Sequence, residues 1–174
     1  MSQRVWGRLP GPKLEQTVDL ALELGAETVV VHPPFRWQGL YARGFADHVR
    51  ELSTATGVTV AVENMYPWRG RKREVQAYLP GWDPTDHPYD AVTLDLSHAA
   101  VARQDSLALL DVFGDRLAHV HLADGTDSMK DEHMVPGAAP SRATRSSVSW
   151  CAGVGRGRRH RDRDATRPHG RRAV

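Results

Sequence analysis

The architecture follows from Val58-Thr-Val-Ala-Val-Glu63-Asn64. The first five of these residues are apolar or β-branched with no polar alternation, and Gly57 and Glu63-Asn64 bound them. A short run of this kind reads as a strand covered on both faces, as parallel sheets require. Upstream, Tyr41, Phe45, Val49 and Leu52 recur at spacings of four, four and three, the apolar face of an amphipathic helix that Gly57 closes. Thr28 to Val31 is another β-branched run, ending at His32, after which Pro33-Pro34 forces a loop. Before it, residues 13–24 place Leu14, Val18, Ala21 and Leu22 on one helical stripe, with Gly25 as the stop. Downstream, Ala91 to Leu94 reads as a third strand ending at Asp95, Ser106 to Phe113 as a helix, and Leu117 to Val120 as a fourth strand ending at His121. Between the second and third strands lies MYPWRGRKREVQAYLPGWDP (65–84), rich in aromatics and arginines, with a short helix expected over Arg73–Leu79. Strands alternating with helices predict βαβ units, and hence an α/β fold with a parallel sheet.

The 174 residues fit one domain, and 40% apolar with 25% charged side chains can build a core. No segment approaches the ~18 apolar residues of a membrane span, and the N-terminus lacks the apolar region of a secretory signal. One cysteine, Cys151, excludes an internal disulfide framework and fits a reducing cytoplasm, the location expected. The net charge of +2 hides two unlike parts. Residues 1–137 carry 13 basic and 19 acidic side chains, whereas residues 138–174 carry ten arginines and two aspartates. The second part has no helical or strand period and buries too little to offset its ordering entropy, so the chain is expected to divide into a folded unit at 1–137 and an Arg-rich disordered tail at 138–174. Such a tail suits nonspecific nucleic-acid binding, or has no role at all. GVGRGRR at 153–159 mimics a phosphate loop without a flanking strand or helix, and no G-x-S-x-G nucleophile is present.

The chemistry-bearing residues fall at one repeated place. His32, Glu63, Asp95 and His121 each end an apolar run, at the strand edge where parallel α/β folds gather catalytic groups. His98, Asp131 and His133 extend the set. Imidazoles and carboxylates together suit Zn²⁺, Mn²⁺, Fe²⁺ or Co²⁺, so a metal site is expected. Each residue also has a plainer reading. Glu63 can pair with Arg69 or Arg71, Asp95 can cap the segment that follows it, and Asp124 can form a turn with Gly125. His32 and His98 can be structural, and Asp131 and His133 can be ordinary loop residues. Of His119 and His121, the strand-end residue is preferred; His87, His160 and His169 read as solvated.

LGAETVVVHPPFRW, VAVENMYPW, VTLDLSHA, and LAHVHLADG followed by DEHMVPG resemble the xylose isomerase-like TIM barrels, which include sugar-phosphate isomerases and epimerases together with endonuclease IV. The resemblance covers roughly residues 10–137. It implies a partial (β/α)8 barrel with about four parallel strands, and a divalent metal (Mn, Co, Mg or Zn) on Glu63, Asp95 and His121. In the isomerase-like members Glu63 is also catalytic and His98 orients a sugar hydroxyl, with His32, Arg69 or Arg71 contacting a sugar or sugar-phosphate substrate. In the endonuclease-like members further zinc ligands correspond to His32, His98, Asp131 and His133, and the substrate is a phosphodiester; against this, residues 1–137 are acidic where DNA binding favours basic surface.

Two departures bear on activity. No glutamate follows Glu132 and no histidine precedes His32 in this sequence, so the family's second metal-binding Glu and its earlier His ligand are expected to be missing. A complete barrel takes ~250 residues and at least ~200, so this sequence is expected to hold the middle of one. It is expected to be weakly stable and weakly active or inactive unless another chain completes it.

Overall fold

The computed structural model describes residues 9–69, 73–124, 131–135 and 138. Helix α1 (Pro10–Leu24) opens with Pro10 in its first turn, where a missing N–H costs nothing. It ends at Gly25, whose φ of 67° is the left-handed cap that glycine adopts without strain. Strand β1 (Thr28–Val31) follows, then a 3₁₀ turn at Arg36–Gln38 and helix α2 (Leu40–Thr56), capped by Gly57 at φ 75°. Strand β2 (Thr59–Glu63) leads into a small antiparallel pair, β3 (Trp68–Arg69) with β4 (Glu74–Val75). Strand β5 (Val92–Asp95) runs directly into helix α3 (Leu96–Ala102); helix α4 (Ser106–Phe113) and strand β6 (Leu117–His121) complete the described unit.

The main sheet is all-parallel in the order β1-β2-β5-β6. The two outer strands are not hydrogen-bonded to each other, yet β1 and β6 still approach, so the sheet curls as part of a barrel wall. The partial-barrel expectation holds. The period of two along each strand divides the residues between the faces. Val29, Val60, Val62, Val92 and Leu94 pack with Leu14, Val18, Phe45, Val49, Leu109 and Phe113 of the helices, forming the main core. The residues of opposite parity, including Glu63, Asp95, His119 and His121, line the concave side.

Two readings need correction, and one helix was not foreseen. No helix forms over Arg73–Leu79; Glu74–Val75 pairs with β3, and Tyr78 bridges to Phe35 beneath the stacked rings of Phe35 and Trp37. The aromatic contacts, with Met65 and Ala77 packed beside them, outweigh the weak helical pattern of this segment. Leu22 is not on the buried stripe of α1: Leu14, Val18 and Ala21 are buried, while Leu22 is about half exposed. Helix α3, which carries His98, has no sequence signature because every one of its residues is buried and no polar face marks its period. The tail from 139 onward lies outside the described residues, and no helix among those described is long and apolar enough to cross a membrane.

Candidate metal centre

The strand ends bring the predicted residues together. Glu63 terminates β2, Asp95 terminates β5 and His121 terminates β6, and the parallel register places Asp95 beside His121. His121 Nδ1 lies 2.9 Å from Glu63 Oε1 and 3.2 Å from Asp95 Oδ2. The three side chains each offer a ligand atom within 4.8 Å of the others. A single ring nitrogen of His121 thus lies between two carboxylate oxygens. Donors on a divalent ion with bonds of ~2.1 Å stand about 3.0–3.4 Å apart, which matches this spacing. The residues present fit such an ion.

Glu63 and Asp95 are almost fully buried, and their partners explain how two carboxylates stay there. Glu63 Oε2 meets His32 Nε2 at 3.0 Å, and Glu63 Oε1 also faces His98 Nδ1 at 3.3 Å. Burial alone would raise the Glu63 pKa, but the hydrogen bonds and charges of His32 and His98 outweigh it and hold the carboxyl well below its usual range. Burial, reinforced by the nearby Glu63 charge, pushes Asp95 the other way, upward. His98 Nδ1–H donates to the Asn64 carbonyl at 2.9 Å, and Nε2 faces Asp131 Oδ2 at 3.2 Å. Burial would lower His98, but the Glu63 hydrogen bond and the charges of Asp95, Glu63 and Asp131 push it up to about 9.

Asp95 makes the cap that the sequence offered and turns its second oxygen to the centre. Its Oδ1 accepts the His98 backbone N–H at 2.9 Å as the cap of α3, while Oδ2 faces His121. Asn64, which sequence reasoning passed over, fixes this strand end. It accepts the Asp95 N–H at 2.6 Å and donates its amide to the Asp95 carbonyl at 3.1 Å. The signal was its place beside Glu63 at the end of an apolar strand.

Asp131 and His133 also reach the centre. His133 Nε2 lies 3.1 Å from Asp131 Oδ2, and Asp95, His98 and His133 form a second group with donors inside 4.8 Å of one another. Arg69 does not pair with Glu63: its Nη1 donates to the Val101 carbonyl at 2.9 Å and its Nε faces Glu74 at 3.5 Å. Arg71 lies outside the described residues. His119 stacks edge-on to His121, and it is His121 that meets the carboxylates. Asp124 is fully buried and exchanges backbone hydrogen bonds with Met134, whereas Gly125, its expected turn partner, lies outside the described residues.

An all-parallel curled sheet with acidic and imidazole side chains gathered at its C-terminal edge defines a TIM-barrel wall. The family model described as xylose isomerase-like TIM barrel matches residues 13–142, and the chain belongs to that family. It is 45% identical over 170 residues to uncharacterized proteins of Mycobacterium leprae (strain TN) and Mycobacterium tuberculosis (strain ATCC 25618 / H37Rv), covering 87% of this chain and 59% of each relative. The chain thus spans about three fifths of the length of the curated relatives it matches. Among solved structures, a D-tagatose 3-epimerase-like protein superposes with a TM-score of 0.59 at 21% identity, over 82% of this chain and 58% of that one.

Proposed function

We propose that this chain carries part of the active site of a divalent-metal-dependent sugar or sugar-phosphate isomerase or epimerase. The convergence of Glu63, Asp95 and His121 on one point at the barrel edge carries the reading. A bound ion supplies Lewis-acid polarisation of a substrate carbonyl and its neighbouring hydroxyl. Around it, Glu63 Oε2 is the base for a carbon-bound proton and His32, whose Nε2 lies 3.0 Å away, holds that oxygen in place. His98, with Nδ1–H anchored on the Asn64 carbonyl, orients a sugar hydroxyl through Nε2, which exchanges its contact with Asp131 for the substrate. Arg69 and Arg71 are the candidates for a substrate phosphate.

A second reading rests on the neighbouring Asp95-His98-His133 group. More than one zinc at this edge suits hydrolysis of a phosphodiester, as in endonuclease IV-like proteins. Elemental analysis of purified protein, beside Glu63→Ala, separates the two. About one equivalent of Mn, Co, Mg or Zn, lost in the variant, supports the isomerase reading. Solvent deuterium incorporation into a panel of ketoses and their phosphates then identifies the substrate. Two or more equivalents of zinc favour the phosphodiesterase, and a folded protein that takes up no metal refutes both.

A further inference from the structure

Ser97 is fully buried, in the first turn of α3 between Asp95 and His98, and the chemistry above leaves it unused. Its hydroxyl does not cap the helix, because Asp95 does. Instead, Ser97 Oγ donates to Asp131 Oδ1 at 2.8 Å and accepts the His133 backbone N–H at 3.3 Å. One hydroxyl therefore spends its donor and an acceptor lone pair on two residues of the same short segment, 131–135. A buried hydroxyl matched on both sides fixes a unique geometry, because loss of either bond leaves a polar group without water. Both tethered residues aim their side chains at His98. Asp131 Oδ2 lies 3.2 Å from His98 Nε2, and the His133 ring sits edge-on 5.6 Å from that of His98. His133 occupies this place with φ at 41°, an uncommon backbone for a histidine and one that needs external support. On its far side the segment is held by the paired backbone bonds of Met134 with Asp124, both 2.8 Å.

We propose that Ser97 is a positioning residue: its hydroxyl pins residues 131–135 over the barrel edge and so assembles the Asp95-His98-His133 donor group beside the Glu63-Asp95-His121 group. Glu63, Asp95 and His121 make their mutual contacts without Ser97, so the two groups separate on its removal. The role in metal uptake rests on the metal-centre reading, whereas the tether itself does not.

The test compares the intact chain with Ser97→Ala and Ser97→Thr by amide hydrogen exchange and by Co²⁺ titration followed in the visible spectrum. In Ser97→Ala, exchange across 131–135 accelerates by about 10-fold, the scale of one hydrogen bond. Co²⁺ binding to the second donor group weakens by about 10- to 100-fold, as loss of an outer-shell support does, and the first equivalent binds unchanged. Ser97→Thr keeps the hydroxyl and restores both readouts. Asp131→Ala, made on the solvent side of the same bond, reproduces the exchange change and guards against a folding defect in Ser97→Ala. Unchanged exchange in Ser97→Ala, or a threonine variant that behaves like alanine, overturns the proposal. Exchange that follows the hydroxyl in a protein taking up no Co²⁺ overturns the metal-centre reading and leaves the tether standing.

Discussion

The two oxygens of Asp95 do different work, and isosteric and truncating substitutions separate them. Asp95→Asn keeps an oxygen at the Oδ1 position to accept the His98 N–H, now at 2.9 Å, and removes the negative charge opposite His121. Asp95→Ala removes both. Losing an N-cap costs about 1 kcal/mol, and leaving the His98 N–H buried without a partner brings the total to about 1–3 kcal/mol. For a domain of this size about 1 kcal/mol corresponds to about 4 °C in Tm. Burial pushes the Asp95 pKa upward, so the folded state binds its proton more tightly than the unfolded chain. That contribution is present below the ordinary carboxyl value and is lost as pH rises through the folded value, so at neutral pH the ionised carboxylate weighs against the metal-free fold. We therefore expect metal-free Asp95→Asn to unfold at or above the wild-type urea midpoint, and Asp95→Ala to unfold well below it. Both variants should lose metal affinity by at least about 100-fold, the upper end of what outer-shell changes alone produce. Chemical denaturation of metal-free protein, paired with competitive zinc titration, measures the two effects separately. Equal destabilisation by Asn and Ala would refute the capping role of Oδ1, and full zinc affinity in Asp95→Asn would refute Oδ2 as a ligand.

Two further outcomes follow from the geometry. Burial, helped by the Glu15 charge, pushes the Tyr41 hydroxyl up to about 12; its stabilising contribution is complete below the ordinary phenol value and disappears as pH rises towards 12. Tyr41→Phe should remove that alkaline loss, on the order of 1–2 kcal/mol after allowing for partial exposure, as read from urea midpoints between pH 9 and 12; an unchanged slope would exclude it. Arg69 already donates to the Val101 carbonyl and faces Glu74, so Arg69→Ala should cost about 1.5–3 kcal/mol, the range for a charged hydrogen bond. If it also contacts substrate phosphate, the variant will lose affinity for inorganic phosphate; equal binding before and after substitution assigns Arg69 to the fold alone.

The strand ends were legible because a carboxylate or imidazole after an apolar run contrasts with its neighbours, as Glu63 does after Val60-Ala61-Val62. Helices α1, α2 and α4 were legible for the same reason, since each keeps a solvated face and ends where a glycine caps it. Helix α3 was not, because a fully buried helix has no period to read. Ser97 was invisible for a different reason, and Asn64 was marked only by its place beside Glu63. Their partners, Asp131 and the backbone of Asp95, lie more than thirty residues away, and side chains this small give no pattern of their own. Asp95 was read as a ligand or a cap; the cap is made through Oδ1, while Oδ2 faces His121.

Glu63, Asp95 and His121 belong to three neighbouring strands separated by long stretches of chain. If one ion is held by all three, it ties together segments distant in the chain, and it does so only in the folded state. The sheet and the centre then stand or fall together. On that reading, metal that binds only the folded form raises stability by mass action, and the concentration of free metal would set how much of the chain is folded.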